Sequence, residues 1–234
     1  MTQRPRVLVV QPEDVAPLGM FKVWLDRAGV DSDVLAVQDG RALPTTIGDH
    51  GGLIVMGGRM GANDDAEHRW IVPTKGLIVA TVAARLPFLG ICLGHQLATT
   101  ALGGEVIVNP SGPTVGLRPW DPTSYGATDL LTNVLPAGTP VLHHNNDIAV
   151  RLPDGATTLG RAPDGSVQAA RFGPLAWGLQ FHPEADATTV AGWASDPDDV
   201  TSHEATRQLR AREAELHRAW EPLARQFARV LRAG

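Results

Sequence analysis

The feature that most constrains the fold is a lone cysteine between two glycines at residues 90–96, which read Gly-Ile-Cys-Leu-Gly-His-Gln. An apolar run at 86–91 leads into Cys92, and a pattern typical of a helix follows at 97–102. Because glycine allows close backbone approach, this segment predicts a sharp strand-to-helix turn with the cysteine at its apex. A thiol placed there points out of the sheet, at a helix N-terminus whose dipole favours the thiolate. We therefore predict that Cys92 is a nucleophile.

A second motif lies further along the chain, at residues 178–184, which read Gly-Leu-Gln-Phe-His-Pro-Glu. His182 and Glu184 are two positions apart, and such residues project to the same side of a strand. Glu184 can therefore accept a hydrogen bond from the imidazole and fix its tautomer, as the third member of a catalytic triad does. His182 would take the proton of the Cys92 thiol and later pass it to a leaving amine.

A reaction of this kind also needs donors for the negative charge that develops on a substrate carbonyl oxygen. The backbone N–H of Leu93, directly after the nucleophile, is one candidate. The other is the backbone N–H of Gly58 or Arg59, at the end of a neighbouring predicted strand. The sequence alone does not decide between Gly58 and Arg59 as the second donor.

The first part of the chain alternates between strand and helix patterns. Continuous apolar runs of this kind are typical of buried parallel strands, and they fall at 6–10, 34–37, 52–56 and 86–91. Helical spacing of apolar residues separates them at 18–28 and 68–84. This alternation predicts an α/β fold with a mostly parallel sheet flanked by helices, whose active site lies at the carboxyl ends of the strands.

The rest of the chain has a different composition. Residues 105–175 are rich in proline and glycine, which favours a small β-rich extension of the same domain, with hairpins at the Asp-Gly pairs 154–155 and 164–165. Apolar residues recur at helical spacing in the C-terminal segment at 196–234, and Pro222 predicts two helical pieces there rather than one rod. We expect a single domain over residues 1–234, with its core at about 5–190.

Charge and composition limit the partners and the compartment. The chain has 234 residues, a formal net charge of -5 and a sequence pI of about 5.9, which disfavours nucleic acid and anionic membrane surfaces as partners. A single cysteine excludes an internal disulfide framework and fits a reducing compartment. The most apolar stretch, at 71–91, is interrupted by prolines and charges, and we expect neither a signal peptide nor a membrane span. We therefore predict a cytoplasmic protein.

Together, the motifs at 90–96 and 180–184 resemble those of the class I, or triad, glutamine amidotransferases. The segment at 56–64 is similar to the oxyanion loop of free-standing members related to the glutaminase part of GMP synthase. Residues 114–117 resemble the segment that helps to hold the glutamine α-groups, and residues 146–153 resemble the family's Asn-Asp loop. The resemblance covers about residues 5–190.

This resemblance implies a flavodoxin-like fold and hydrolysis of the glutamine side-chain amide through a γ-glutamyl thioester, with release of ammonia. It implies no metal and no other cofactor. Carried over by position, the family's roles assign Cys92 as nucleophile, His182 as base and Glu184 as its orienter. They assign Gly58 and Leu93 to the oxyanion hole, and Gln96, Thr114, Val115 and Gly116 to substrate binding. Arg59 and Thr114 depart from the residues that family members often carry at these positions, which bears on the substrate pocket more than on the triad.

Three functions stay open on the sequence. The first is a glutaminase that supplies ammonia to a separate synthetase subunit, and the second is a free-standing γ-glutamyl peptidase acting on γ-glutamyl peptides or conjugates. The third is a non-catalytic binding module of the same fold, which the presence of all three triad residues disfavours. Of the other histidines, His95 is expected to pack or cap within its helix, and the pair at 143–144 lacks the spacing of a metal site.

Overall fold

The computed structural model describes residues 4–38, 40–194 and 197–233, and a seven-stranded sheet lies at its centre. The strands are β1 (Arg6–Gln11), β2 (Asp31–Ala36), β3 (Leu53–Val55), β4 (Phe88–Ile91), β5 (Glu105–Val108), β6 (Thr114–Pro119), β7 (Pro140–Asn145), β8 (Asp147–Arg151), β9 (Thr157–Arg161), β10 (Val167–Gly173) and β11 (Ala176–Leu179). The helices are α1 (Gly19–Arg27), α2 (Ile71–Ala83), α3 (Leu93–Ala101), α4 (Ala187–Ala191) and α5 (Val200–Ala233), and a short 3-10 helix lies at Thr132–Val134.

The order of strands in the sheet is β2-β1-β3-β4-β11-β10-β9. The pairs from β2 to β11 are parallel, and β10 and β9 extend the sheet with antiparallel pairing. The predicted α/β class with a mostly parallel sheet is therefore confirmed. Because parallel strands end at one edge, the residues that follow β1, β3, β4 and β11 meet there.

Both faces of this sheet are buried, as β1 illustrates. Val7 and Val9 lie fully buried in one apolar cluster with residues of α1 and α5. Leu8 and Val10 alternate with them and pack on the other face, in a cluster with residues of α2 and α3. Two-sided burial explains why the strand reads as a continuous apolar run rather than as an alternating pattern.

The β-rich region at 105–175 contributes strands to two structures: β9 and β10 belong to the main sheet, whereas β5 to β8 form a separate extension. Antiparallel pairs β5–β8 and β6–β7 form two small sheets beside the core. The hairpin predicted at 164–165 is present, since it joins β9 to β10, and Gly165 there has a φ of 85°. The hairpin predicted at 154–155 is wrong, because β8 pairs with β5 whereas β9 pairs with β10. That turn instead carries the chain from a small sheet to the main one.

The C-terminal segment forms one helix, α5, so the predicted division into two pieces is wrong. Pro222 lies inside it, where proline removes one backbone hydrogen bond. Apolar residues on both sides of this point, among them Trp220 and Leu223, are fully buried, and the Trp220 indole N–H donates to the carbonyl of Pro140 at 2.9 Å. Packing against α1, α4, β6 and β7 therefore outweighs the local cost of the proline. None of the described helices combines the length and apolar character that a membrane crossing requires.

Candidate active site

Cys92 lies at the turn between β4 and α3, in the backbone conformation that the sequence predicts for an apex residue. Its φ of 51° and ψ of -105° are unusual for a residue with a side chain. Two backbone hydrogen bonds hold it there: its N–H donates to the Leu179 carbonyl at 2.7 Å, and its carbonyl accepts from the Gln96 N–H at 3.1 Å. The strained turn is thus fixed by the neighbouring strand β11 and by the first turn of α3.

The two glycines that frame Cys92 are required by contacts between backbones. A Cβ at Gly90 would lie 2.5 Å from the carbonyl carbon and oxygen of Gly94. A Cβ at Gly94 would lie 2.0 Å from the carbonyl oxygen of Val55 in β3. Since real Cβ atoms do not approach so closely, neither position accepts a side chain without displacement of the strand or the helix.

His182 and Glu184 follow β11 and lie next to Cys92. The Nδ1 atom of His182 is 2.8 Å from Oε1 of Glu184, and both side chains are almost wholly buried. The backbone places them: His182 N–H donates to the Leu142 carbonyl at 2.8 Å, and the Glu184 carbonyl accepts from the Met20 N–H at 2.8 Å. The structure therefore brings the predicted histidine–carboxylate pair together beside the predicted nucleophile.

The charges around His182 set its protonation. Burial by itself lowers the pKa of the imidazole, but the charges of Glu184 and Cys92 and hydrogen bonds to both side chains more than offset it and raise the pKa to about 10. At neutral pH this favours an imidazolium, which is the partner that a cysteine thiolate requires. The buried His95 shows the opposite effect, because burial without a charged partner lowers its pKa to about 4.

His95 packs rather than reacts, as expected from its place on the first turns of α3. Its ring is fully buried 5.7 Å from the ring of Phe172, and neither ring nitrogen has a hydrogen-bond partner among the described residues. A Cβ at Gly178 would lie 2.3 Å from its Nδ1 atom, so the ring lies directly against β11. His95 is therefore part of the core behind the candidate active site.

A cavity of about 680 Å³ opens beside Cys92 and His182. Gly58 lines it next to Leu93, since a Cβ at Gly58 would lie 3.0 Å from Cδ2 of Leu93. The backbone N–H of Arg59 donates to Oε2 of Glu13 at 3.0 Å. Since that donor is already occupied, the geometry favours Gly58 over Arg59 as the second oxyanion donor beside Leu93.

The residues predicted to bind substrate have different surroundings. Gln96 lines the cavity, and its Nε2 donates to the Asp147 carbonyl at 3.0 Å and to Oε1 of Gln180 at 3.2 Å. Val115 also lines this cavity, but Thr114 and Gly116 do not. The three residues belong to β6, where successive residues face opposite sides, and Thr114 lines a separate cavity of about 220 Å³. A contact of Thr114 or Gly116 with a substrate in the larger cavity gains no support from this geometry.

The cavity also contains residues that sequence reasoning missed. Trp193 packs against His182 with ring centroids 4.5 Å apart and ring planes at 52°, and its indole N–H donates to the Val15 carbonyl at 2.7 Å. The ring centroid of His144 lies 5.2 Å from that of Trp193, and its Nε2 is 2.8 Å from Oγ of Ser202. Besides His144 and His182, the acidic and basic side chains in the described lining are Glu13, Arg59, Asp147, Asp198 and Asp199. Trp193 lies in a turn after α4 and Ser202 in the first turn of α5, and none of the sequence motifs covers either residue.

Adjacent histidines in β7 face opposite sides of the strand. His143 lies 3.3 Å from Oδ1 of Asn145 and 3.3 Å from Nε2 of Gln168, whereas His144 faces the cavity. Burial lowers the pKa of both imidazoles to about 4. Within the described parts of the chain, no group of three or more potential ligands is arranged to hold a metal ion.

Comparison with known proteins gives the same family as the motifs. The family model of the class I glutamine amidotransferases matches residues 25–192. A glutamine amidotransferase-like protein of Salmonella typhimurium is 30% identical over 190 residues, which cover 80% of this chain and 79% of that protein. A glutamine-hydrolyzing GMP synthase of Aeropyrum pernix is 38% identical over 102 residues, which cover 44% of this chain and only 19% of that protein.

Two further relatives widen the comparison. Gamma-glutamyl peptidase 5 of Arabidopsis thaliana is 27% identical over 176 residues, which cover 71% of this chain and 68% of that protein. The crystal structure of a glutamine amido transferase from Methylobacillus flagellatus superimposes with a TM-score of 0.85 at 28% identity, over 98% of this chain and 96% of that one. By motif, fold and family model, this chain belongs to the class I glutamine amidotransferases.

Proposed function

We propose that the protein hydrolyses the γ-amide of glutamine through a γ-glutamyl thioester on Cys92 and releases ammonia. The observation that carries the proposal is the arrangement of Cys92, His182 and Glu184 beside one another, with the first two lining a cavity of about 680 Å³. A strained cysteine and a buried histidine–carboxylate pair have no evident packing role together, whereas nucleophilic catalysis needs all three.

The proposed reaction begins with attack of the Cys92 thiolate on the γ-carbonyl carbon. The electron pair of the C=O bond moves to oxygen, where the N–H groups of Leu93 and Gly58 stabilise it. As the C–N bond breaks, the His182 imidazolium transfers its proton to the departing amine, and a thioester remains. A water molecule then attacks the thioester while His182 accepts its proton, which releases glutamate and restores the thiolate. Glu184 keeps Nδ1–H of His182 oriented in each step.

We propose that Gln96 holds the α-ammonium group of the substrate. Its amide nitrogen is already engaged by Asp147 and Gln180, so the group that it offers to the cavity is its carbonyl oxygen, which accepts hydrogen bonds. Asp147, which also lines the cavity, adds a carboxylate. Both favour the positively charged end of an amino acid over its carboxylate.

The ammonia would pass to a separate synthetase subunit in this proposal. The relative from Aeropyrum pernix combines a matching region with a much longer chain, of which the match spans 19%. By analogy, we propose a partner enzyme that consumes ammonia, and we expect turnover of glutamine to rise when that partner is bound.

The size of the cavity favours a second candidate, hydrolysis of γ-glutamyl peptides or conjugates. Cavities that enclose drug-sized ligands measure about 300–1,000 Å³, and the observed volume lies well within this range. A leaving group larger than ammonia would therefore have room. The thioester chemistry is unchanged, and the similarity to a γ-glutamyl peptidase agrees with this candidate.

The deciding experiment is to measure amine release from L-glutamine and from γ-glutamyl dipeptides with purified protein and its Cys92→Ala variant. Cys92-dependent ammonia release from glutamine supports the first candidate, and preference for dipeptides supports the second. Labelling of the thiol by a glutamine-like diazoketone, with protection by L-glutamine, tests binding even where turnover awaits a partner. Turnover retained in Cys92→Ala, or neither turnover nor protected labelling, would overturn the proposal.

A further inference from the structure

Directly behind the nucleophile lies a buried glutamine that no step of the proposed reaction yet uses. Gln180 follows β11, is 1% exposed, and places its Nε2 atom 3.6 Å from Sγ of Cys92. We propose that Gln180 is a further catalytic residue, which donates a hydrogen bond to the Cys92 sulfur and stabilises the thiolate. This proposal rests on the proposed role of Cys92 as nucleophile.

A relay of hydrogen bonds fixes which end of the Gln180 amide faces the sulfur. The relay begins at the backbone carbonyl of Asp147, which only accepts, so the nitrogen of the Gln96 amide must point toward it at 3.0 Å. The same nitrogen lies 3.2 Å from Gln180, which must therefore present its oxygen there. The nitrogen of Gln180 is then the atom that faces Sγ. Because the backbone carbonyl can only accept, it fixes which atom donates and which accepts at every step from Asp147 to Cys92.

The Gln180 backbone is also anchored. Its N–H donates to the Gln168 carbonyl of β10 at 2.8 Å, so its side chain starts from a fixed point of the sheet. A donor that is fixed in advance needs no reorganisation when negative charge appears on the sulfur. An amide also has no proton to lose at neutral pH, so it stabilises the thiolate without competing with His182 for the catalytic proton.

This arrangement gives the sulfur two donors with different fates during the reaction. His182 holds the thiolate as an imidazolium but gives up its proton to the leaving amine. Gln180 keeps its hydrogen bond throughout, including when the thioester breaks and negative charge returns to the sulfur. We therefore expect Gln180 to assist both the attack of Cys92 and its departure as a leaving group.

The test compares the thiol of the wild-type protein with that of Gln180→Met, which removes the donor at similar volume, and Gln180→Glu, which keeps the shape and adds negative charge. The rate of alkylation by iodoacetamide is measured against pH, and because Cys92 is the only cysteine in the chain, the rate reports on it alone. We expect the pH profile of the alkylation rate to move to higher pH by about one unit in Gln180→Met and by more in Gln180→Glu. Turnover should fall by roughly 10- to 100-fold, with a smaller change in KM.

Gln168→Met is the matched control. Gln168 is as deeply buried, but its side chain bonds the Pro119 carbonyl, the Asp121 N–H and His143 rather than the cysteine. The Gln168→Met variant should have a lower thermal stability but the same pH profile of alkylation as the wild-type protein. An unshifted profile in both Gln180 variants, with folding checked by circular dichroism, would overturn the role of Gln180. The alkylation readout needs no substrate, so it separates this failure from failure of the proposed reaction, which the amine-release assay with Cys92→Ala detects.

Discussion

The floor and the rim of the cavity are built in opposite ways. The floor is defined here as Cys92 and His182, which line the cavity, together with the buried Gln180 and Glu184 behind them. All four are at most 5% exposed, and each has a backbone hydrogen bond to a neighbouring strand or to α1. The rim includes the Arg59 side chain, which is 64% exposed and pairs with Glu13 at 3.5 Å. Groups that must be placed within fractions of an ångström are fixed by backbone, whereas groups that meet solvent keep rotamer freedom. We infer that the floor sets the chemistry and the rim tunes which substrate enters.

The largest effect is expected from Glu184→Gln in the floor. The variant keeps the shape of the side chain but removes the charge that raises the pKa of His182. Turnover should fall by roughly 100- to 10,000-fold with little change in KM, because the role of Glu184 is to orient the imidazole and stabilise its charge. Steady-state kinetics on the preferred substrate measures this. Turnover within a few-fold of wild type would reduce the triad to a Cys92–His182 dyad.

The second largest effect is expected from Gly94→Ala, which should lower the free energy of unfolding by displacing the helix that begins at the floor. A Cβ at this position would lie 2.0 Å from the carbonyl oxygen of Val55, so α3 must move away from β3. We expect a loss of about 3 kcal/mol in the free energy of unfolding, at the upper end of the range for overpacked sites. Urea unfolding of the purified variant measures it.

Gly76→Ala is the matched control for this prediction. Gly76 lies inside α2, and a Cβ there meets nothing within 4 Å, so the same chemical change should stabilise the protein by up to about 1 kcal/mol through helix propensity. Equal effects at the two glycines would show that the contact with Val55 does not constrain the floor.

The third effect is a pH dependence that originates behind the floor, at His95. Burial lowers the pKa of its imidazole to about 4, below the ordinary value of 6.5, so the unfolded chain binds the proton first as the pH falls. The contribution of neutral His95 to the free energy of unfolding is complete above pH 6.5. It decreases by roughly 1.4 kcal/mol per pH unit as the pH falls from 6.5 to about 4. In His95→Leu the slope of unfolding free energy against pH should be smaller by this amount. Identical slopes in the two proteins would refute the effect.

The smallest effect is expected at the rim, from Glu13→Gln. Glu13 accepts the backbone N–H of Arg59 at 3.0 Å and is partly exposed, so the amide can keep that bond while losing the charge. We expect at most about a 5-fold change in kcat/KM, expressed mainly in KM and weakened by salt. Kinetics at low and high ionic strength checks this. An effect on kcat as large as that of Glu184→Gln would erase the distinction between floor and rim.

Sequence reasoning succeeded where a local pattern has one physical solution. The strand-to-helix turn at Cys92 is an example, because the close approach of backbones there leaves no room for a side chain at Gly90 or Gly94. It did less well at the edge of the sheet, where β2 begins at Asp31 rather than in the apolar run at 34–37. An edge strand is half exposed, and Asp33 there pairs with Arg6, so the apolar signal is weak.

The errors share a cause, which is competition between local preference and distant contacts. Pro222 locally favours a break, but the buried face of α5 is continuous across it. The Asp-Gly pair at 154–155 locally favours a hairpin, but the flanking strands find other partners. The contact between Trp193 and His182 was not predicted, because only tertiary packing brings their ring centroids to a distance of 4.5 Å.

The sequence by itself determined the fold class, the family and the identity of the candidate nucleophile, base and carboxylate, because these depend on short motifs and apolar periodicity. The tertiary structure alone decided which donors remain free and which are occupied. It showed that Glu13 occupies the N–H of Arg59, that only Val115 of the segment 114–116 lines the cavity, and that Gln180 faces the sulfur of Cys92. The physical reason is that hydrogen-bond partners and cavity walls come from segments far apart in the chain, and folding alone sets the distances between them.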